Sequence, residues 1–320
     1  GLERDLHVRS FFVMDENFLL YRKRALRLLD LMKGHGKAWT LYVFSSAKVL
    51  CSYTIEQLVG LGISWVWMGL EGKDSQYAKL NGTDTHELVR TLQSHGIRVL
   101  GSSIIGLEEH TPENIDAAID YAVSHVTDFH QFMLYTPIPG TPLHAEHRAA
   151  GRLLGPDEFS DADTHGQYRF NYRHPHIKNG QETEYLLRAF RRDFEVNGPS
   201  FIRLARTTLR GWQRYKNHPD REIRRRYAWE TRDLPTVYAG ALWAARHWYG
   251  DDPAMSAKIS RILKDIYREY GLKSRLAAPL VGRYLRFMMA REARRLRRGW
   301  TYEPPTFYET RQAVAAASSG

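Results

Sequence analysis

Short apolar runs alternate with longer amphipathic segments through the first 145 residues, and this alternation constrains the fold more than any other feature. The segments between the runs carry apolar residues at helical spacing. Repeated strand–helix units predict a parallel sheet whose strands are joined by helical crossovers. The apolar runs have the β-branched and aromatic composition of buried strands, and they are Val8–Met14, Trp39–Phe44, Trp65–Leu70, Val99–Gly106 and Phe129–Tyr135.

The helices expected between these strands are Phe18–Lys33, Thr54–Leu61, Thr85–His95 and a segment from Thr111 to His125. In the last of these, we expect Thr111 to cap the helix and Pro112 to occupy its first position. No Gly-rich phosphate loop opens any of the helices. The pattern therefore favours part of a TIM-like (β/α) barrel over a nucleotide-binding doubly wound sheet, although pattern alone does not separate the two α/β folds.

The chain changes character after residue 145. Residues 146–183 show little periodicity and predict an irregular connector, and residues 184–320 predict an α-helical C-terminal domain that ends in a frayed tail at residues 313–320. The predicted domains are thus a partial barrel (1–145), a connector and a helical domain. The expected helices are Glu184–Glu195, Phe201–Lys216, Asp220–Trp229, Pro235–Tyr249, Ala254–Tyr270 and Pro279–Arg297.

Cys51 is the only cysteine, which excludes an intrachain disulfide framework and a metal site built from several cysteines. A buried structural thiol is its expected role. The sequence contains no apolar run of about 18 residues, which a membrane span needs, and no signal peptide. These features predict a cytoplasmic protein.

Positive charge is concentrated in the second part of the chain. The formal net charge is −3 for residues 1–150 and +13 for residues 151–320. Two basic segments with interleaved aromatic residues, WQRYKNHPDREIRRRY and REARRLRRGW, carry much of it. Such segments can contact nucleic acid, associate with an anionic membrane surface, or pack through their aromatic residues with arginines facing water. The last reading is favoured, and membrane contact ranks above nucleic acid.

Polar residues follow each predicted strand, at the edge where barrel enzymes place their functional groups. Asp15 and Glu16 follow the first strand, Ser45 ends the second and Glu71 follows the third. The fourth strand contains a glycine-bounded stretch, and a rigid turn of Pro, Gly and Thr residues follows the fifth. Taken singly, each group also fits ordinary turn, capping or packing roles. Because such groups recur after successive strands, the pattern as a whole favours a functional site at the carboxyl edge of the sheet.

Four of these segments resemble the radical S-adenosylmethionine (SAM) superfamily, and in particular its subgroup with a cobalamin-binding domain. The segments are FFVMDENF, WMGLEG, GIRVLGSSIIGLEEHTPEN and LYTPIPGTPL, and together they cover residues 5–145 in the family's order and spacing. The resemblance implies SAM, a four-iron four-sulfur cluster and cobalamin as cofactors. The cofactor-facing residues it implies are Asp15, Glu16, Ser45, Glu71, Gly101, Ser103, Ile104, Gly106, Pro137 and Gly140.

The sequence departs from this family at the cluster. The family binds the cluster through a CxxxCxxC motif ahead of the first matching segment, because thiolates are the ligands that iron–sulfur clusters need. Cys51 lies in a different loop. We expect that the sequence begins after the missing motif, so that the chain is a fragment that is inactive alone. A degenerate homologue without a cluster is the alternative.

The resemblance implies an enzyme that forms a 5′-deoxyadenosyl radical to modify an unactivated carbon. With cobalamin the expected outcome is C-methylation of a lipid or small natural product, with peripheral membrane contact through the basic tail. Two alternatives remain open: a non-catalytic binding or scaffold protein with a degenerate barrel, and a radical SAM enzyme that modifies RNA. The sequence leaves the oligomeric state open.

Histidines and acidic residues accumulate in the expected connector: His165, His174 and His176, with Asp161 and Asp163 nearby. Their spacing matches no standard zinc pattern. We expect a loop that faces substrate over the barrel mouth rather than a metal site.

Overall fold

Five parallel strands form the sheet around which the first part of the chain folds. The computed structural model describes residues 2–70, 84–160, 167–178 and 180–300. Each strand pairs in parallel with the next along the chain, and the order across the sheet is β1-β2-β3-β4-β5. All five predicted strands are confirmed, with ends within two residues of the expected positions. They are β1 (Ser10–Phe12), β2 (Thr40–Ser45), β3 (Ile63–Gly69), β4 (Arg98–Ile105) and β5 (Phe129–Leu134).

Helices connect and cover these strands. A short 3-10 helix at Phe18–Leu20 precedes α2. The helices in this part of the chain are α1 (Leu2–Leu6), α2 (Arg22–Gly34), α3 (Ala47–Leu50), α4 (Ile55–Gly60), α5 (Thr85–Ser94), α6 (Ile115–Ser124), α7 (Pro142–Ala149), α8 (Gln181–Asn197), α9 (Ser200–Tyr215) and α10 (Arg221–Glu230).

The strand order separates the two folds that the sequence left open. Parallel neighbours need a crossover, and right-handed crossovers that always advance to the next strand put their helices on one face of the sheet. A doubly wound sheet instead reverses direction at its centre. The unbroken order from β1 to β5 therefore agrees with the predicted partial (β/α) barrel, and the helical C-terminal region is also present.

The hydrophobic core lies between the helices and one face of the sheet. Alternate side chains of the central strands, Val43 and Val66 among them, are completely buried. They belong to one cluster with residues of the covering helices, such as Leu29 of α2 and Leu92 of α5. A second cluster joins β4 and β5 to α6 and α8. Alternation of side chains across a strand then directs the remaining residues to the opposite face.

Two helix starts show how well local capping signals predict structure. Thr54 caps α4 as expected, in a reciprocal pair with Gln57, since each side chain accepts a hydrogen bond from the other residue's backbone N–H. The predicted start of α6 was wrong. The backbone N–H of Thr111 donates to Asn114 Oδ1 at 2.8 Å, so residues 111–114 form a turn and the helix begins at Ile115.

The chain divides into two compact units, Gly1–Arg232 and Asp233–Gly320. The second contains a π-helical turn at Leu234–Tyr238, α11 (Ala239–Trp248) and α12 (Pro253–Arg297). Helices α8 to α10 belong to the first unit, and the predicted division into barrel, connector and helical domain stays a prediction. The expected tail at residues 313–320 lies outside the described residues.

Helices α11 and α12 cross closely because glycines face the contact. A Cβ on Gly240 would come 2.5 Å from Val281 Cγ1, and one on Gly282 would come 2.5 Å from Trp243 Cε3. Helix α12 is interrupted at Gly271, which has φ of 58° and ψ of −137°. Within the described residues, none of the helices combines the length and apolar character needed to cross a membrane.

Gly211 of α9 allows a similar close approach in the first unit. A Cβ there would lie 2.8 Å from Tyr227 Cε1 and 2.9 Å from the Cα of Gly96. We predict that Gly211→Ala lowers the free energy of unfolding by about 1–3 kcal/mol, because backbone and a buried ring must shift. Urea denaturation measures the change.

Gly34→Ala is the matched control, since Gly34 is also helical and has open space around its Cα. Alanine there should be neutral or should stabilise by up to about 1 kcal/mol. Equal effects of the two substitutions would contradict the close-packing account.

Candidate functional site

The carboxyl ends of the strands meet at one edge of the sheet, because all five strands are parallel. In barrel folds this edge carries the functional groups. Asp15 and Glu16 follow β1, Ser45 ends β2, residues 101–106 lie in and just after β4, and the turn with Pro137 and Gly140 follows β5. Glu71, which follows β3, lies outside the described residues.

The ends of β1 and β2 are joined by a small polar cluster. Asp15 Oδ1 accepts a hydrogen bond from the Asn17 N–H at 3.1 Å, and Asp15 Oδ2 pairs with Arg24 Nη2 at 2.6 Å. Ser45 Oγ donates to Asn17 Oδ1 at 3.3 Å. The structure therefore brings the predicted residues Asp15 and Ser45 together through Asn17. Glu16 is exposed beside them.

The carboxylate of Asp15 is held in its charged form. The Asn17 N–H and the Arg24 guanidinium together lower its pKa below the ordinary value, because both stabilise the anion. A group of this kind offers a fixed negative charge and a free direction of approach for a hydroxyl or ammonium group of a ligand.

Two of the predicted residues in β4 face the helices. A Cβ on Gly101 would lie 2.5 Å from Leu70 Cδ1, so this glycine makes room for packing on the buried face. Ser103 is buried, and its hydroxyl lies 3.0 Å from His130 Nε2. Burial lowers the pKa of His130 to about 3, which keeps its ring neutral. The side chain of Ile104 points to the opposite face of the sheet, and Ile104 pairs in register with Met133 of β5.

Gly106 ends β4 in a conformation that favours glycine, with φ of 76°. A Cβ at this position would collide with the Phe170 ring. Its backbone is already engaged: the N–H donates to His110 Nδ1 at 3.0 Å, and the carbonyl accepts from the Tyr172 hydroxyl at 3.3 Å. Any contact of Gly106 with a ligand is therefore one of shape rather than of hydrogen bonding.

The turn after β5 is fixed by three local features. The Pro137 carbonyl accepts a hydrogen bond from Asn171 Nδ2 at 2.8 Å. Gly140 has φ of 86° and open space where a side chain would project. Thr141 then caps α7 by accepting from the His144 N–H at 3.3 Å. This turn is rigid, as the sequence indicated, and it leaves the Gly140 surface accessible.

A buried histidine beside Glu108 was missed by the sequence analysis. His147 of α7 is completely buried, and its Nε2 lies 3.3 Å from Glu108 Oε1, which is also 3.3 Å from Arg152 Nη2. Burial lowers the pKa of His147, so its ring is neutral near pH 7. No local pattern marks this cluster, because its members come from three separate segments and meet only through the fold.

The face of the sheet opposite the helices is lined by aromatic side chains. Phe12 contacts Tyr42 and Phe44, with ring centroids 4.5 and 5.2 Å away. Phe44 in turn contacts Trp67 at 4.8 Å. Tyr42 contacts Trp65 at 5.8 Å. We call these five residues the aromatic face. Its members are half-buried or exposed, whereas their neighbours in each strand fill the core.

Neither Cys51 nor His174 lies in a metal site formed by described residues. Cys51 is exposed at the end of α3, so the predicted burial of this thiol was wrong. His174 Nδ1 accepts from the backbone N–H groups of His176 and Ile177, so its Nε2 donates to the Leu107 carbonyl at 2.9 Å and the ring is a structural tie. Asp161, Asp163 and His165 lie outside the described residues.

The described residues contain no group of three or more His, Cys, Asp or Glu side chains placed to hold a metal ion. Iron–sulfur clusters need several thiolates. The donor set in the described part of the chain therefore does not fit such a cluster.

Three curated proteins are similar to the chain in sequence. An uncharacterised methyltransferase of Pyrococcus horikoshii is 27% identical over 158 residues, 48% of this chain and 34% of that protein. Bacteriochlorophyllide d C-12(1)-methyltransferase of Chlorobaculum tepidum is 26% identical over 156 residues, 47% of this chain and 34% of that protein. Hopanoid C-2 methylase of Rhodopseudomonas palustris is 26% identical over 163 residues, 46% of this chain and 30% of that protein.

The chain spans about a third of the length of these relatives. No family model matches it. Among solved structures, it is similar to the radical S-adenosylmethionine methyltransferase TsrM of Kitasatospora setae, which has cobalamin and a four-iron four-sulfur cluster bound. That likeness has a TM-score of 0.39 and 17% identity, and covers 87% of this chain and 54% of TsrM. All three sequence relatives are named as methyltransferases or a methylase, which agrees with the methylation that the resemblance implies.

The pKa of Asp15 can be tested in the chain without a ligand. Arg24→Gln should raise the pKa of Asp15, because one of the two groups that stabilise its anion is lost. The pKa should stay below the ordinary value, since the Asn17 N–H remains. Carboxyl-carbon NMR titration measures both values. Arg27→Gln, an exposed change on the same helix, is the control; an unchanged Asp15 pKa in Arg24→Gln would contradict the geometry.

Proposed function

We propose that this chain is part of a cobalamin-dependent radical SAM methyltransferase, and that it supplies the surface that holds SAM and substrate. The whole enzyme would methylate an unactivated carbon of a lipid or small natural product. Sequence similarity to methyltransferases supports the class of reaction. The cofactors of the proposed enzyme are SAM, a four-iron four-sulfur cluster and cobalamin.

The observation that carries this proposal is the aromatic face. Large aromatic side chains are ordinarily buried, because each one removes a large apolar area from water. Here they line the side of the sheet that faces away from the helices, which is the inner side of a barrel, and the functional groups of a barrel lie at the carboxyl end of that side. Such a surface suits the adenine ring of SAM and an apolar substrate, and it excludes water from the space between them.

The polar residues at the carboxyl edge fit the hydrophilic part of SAM. Asp15 presents a fixed carboxylate, and Ser45 and Asn17 present a hydroxyl and an amide within one hydrogen-bonded cluster. These are the donor and acceptor types that bind ribose hydroxyls and an ammonium group. Glu16 would add negative charge near the same end, and a role for Glu71 stays a prediction from the sequence. Ile104 would contact the adenine or ribose from the open face.

The remaining predicted residues would act through shape. Gly101 leaves room for the Leu70 side chain, Gly106 leaves room for the Phe170 ring, and Ser103 hydrogen-bonds His130 within the core. Pro137 and Gly140 would border the site as a rigid turn. When bound, SAM supplies the methyl and adenosyl groups of this chemistry. The chain's own residues would bind it, orient it and exclude water.

The cluster would have to be held by residues other than the described ones. Cys51 is a single exposed thiol, and the described donor set does not fit. The chain spans a third of its relatives' length, so the ligands would come from another part of a longer protein. The same holds for cobalamin.

The names of two relatives and the aromatic face support a proposal for the substrate class. Those relatives are named for a hopanoid and for a bacteriochlorophyllide. Both names describe bulky, largely apolar molecules, and an aromatic wall is the complementary surface. We therefore propose a hydrophobic polycyclic or lipid substrate for this chain, and contact with a membrane where such molecules are stored.

The lone cysteine favours a second candidate, a non-catalytic scaffold that keeps the barrel architecture without a cluster. The two candidates make opposite predictions for the protein extended upstream of residue 1. We predict that the extension carries a CxxxCxxC motif. After anaerobic reconstitution with iron and sulfide, the extended protein should convert SAM to 5′-deoxyadenosine, whereas the 320-residue chain should not.

Cysteine variants test which thiols bind the cluster. Alanine at any cysteine of the upstream motif should abolish product formation, and Cys51→Ser should leave it unchanged, because an exposed thiol in another loop is no ligand. An upstream extension without cysteines would support the scaffold. Loss of activity in Cys51→Ser with a folded protein would contradict the assignment.

A further inference from the structure

The C-terminal half of α12 exposes a continuous apolar surface. Five large apolar residues of this surface each have between 59 and 75% of their area exposed to solvent. Residues of this size and character are seldom exposed in an unbroken row on one element. We call this surface the apolar stripe; it consists of Leu272, Leu276, Leu280, Tyr284 and Phe287.

The apolar stripe lies on the side of the helix that faces away from the core. At 3.6 residues per turn, its five members fall within an arc of about 120°. The opposite side is buried at Ser274, Ala278 and Gly282, and Gly282 packs beside Trp243 of α11. The helix therefore already has a partner on one side, and the stripe is a second apolar side.

Positive charge surrounds the apolar stripe without acidic residues between. From Gly271 to Arg291 the sequence has no Asp or Glu, and five basic residues are interspersed with the stripe: Lys273, Arg275, Arg283, Arg286 and Arg291. Long basic side chains can lay their stems along an apolar surface while their charges reach outward. The last turn adds Arg294, Arg295 and Arg297, and Arg298 follows the helix.

We propose that the apolar stripe and its basic border dock on an anionic lipid surface. An in-plane helix of this kind buries its leucines and aromatic rings at the level of the acyl boundary, while its arginines contact lipid phosphates. The proposal deepens the proposed function, on which its biological purpose rests, because an enzyme for lipid-like substrates must reach a bilayer. The surface that would contact the lipid consists of residues of α12 alone.

Charge decides between this occupant and two others. A second copy of the chain would bring the same basic border against itself, and like charges across a contact are destabilising. Nucleic acid would satisfy the charge, but its bases stack on aromatic rings and gain little from a row of leucines. A lipid surface offers both an apolar layer and negative charge.

The test is flotation of the full 320-residue chain with vesicles. One set consists of phosphatidylcholine, and the other of phosphatidylcholine and phosphatidylglycerol in equal amounts. The chain should float with the anionic vesicles and much less with the neutral ones, and added salt should weaken the binding. The combined variant Leu272→Ser, Leu276→Ser and Leu280→Ser should bind about tenfold or more weakly, because the apolar contribution is lost.

A charge variant tests the basic border separately. Lys273→Gln, Arg275→Gln and Arg286→Gln together should also weaken anionic binding by about tenfold or more. The control for the leucine variant changes the exposed Leu6, Leu31 and Leu187 to Ser, and the control for the charge variant changes the exposed Arg27, Arg90 and Arg148 to Gln. Circular dichroism establishes that each variant is folded, and both controls should float as the parent does.

Three results would overturn the proposal. The first is equal binding of the parent chain and the folded leucine variant to anionic vesicles. The second is a parent dimer that the leucine variant converts to a monomer, without vesicle binding by either. The third is binding to single-stranded RNA that depends on the leucines and no binding to vesicles. Flotation needs no cofactor, so its failure leaves the methyltransferase proposal standing, and failure of SAM conversion leaves the lipid result standing.

Discussion

Parallel pairing of five strands in sequence order is the constraint on which the first unit depends. Each strand needs a crossover before the next can pair, and each crossover of the same hand returns its helix to the same face. One face is thereby covered and filled with Val43, Val66 and the other core residues, while the other face is left to the aromatic side chains. The same arrangement collects the loops that carry Asp15, Ser45 and Gly106 at a single edge. The proposed site is a direct consequence of the strand order.

The proposed ligand follows from the properties of the carboxyl edge of the sheet and of the aromatic face. The edge presents a carboxylate whose pKa is lowered by an N–H group and a guanidinium, and the aromatic face offers an apolar wall on the open side of the sheet. A ligand with one charged and one aromatic part is complementary to such a site, and SAM is a ligand of this kind. The cluster is a separate matter, since Cys51 is a lone exposed thiol. Under the proposed function, this chain binds and shields the ligand, and the cluster would be held by residues other than the described ones.

The strands and most helices could be predicted because their signals are local. Buried strands are marked by continuous apolar runs, and Thr54 and Asp220 cap α4 and α10 where the sequence placed helix starts. The start of α6 was missed because the Asn114 side chain accepts from the Thr111 N–H and holds residues 111–114 in a turn ahead of the helix. The roles of single residues depended on tertiary contacts: His147 meets Glu108 only in the fold, and Ser103 turns toward His130. The fold also leaves Cys51 exposed at the end of α3. The sequence indicated the functional edge, and the fold determines which side of β4 each residue faces.

The most direct test of the account is whether SAM binds at the aromatic face. Two of the eight tryptophans, Trp65 and Trp67, belong to it, so a titration of the chain with SAM should change tryptophan fluorescence saturably. The variant with Trp65→Phe and Trp67→Phe should lose that change, whereas Trp248→Phe, an exposed ring on α11, should keep it. A saturable change that survives in the double variant, or no saturable change in the parent chain, would contradict the account.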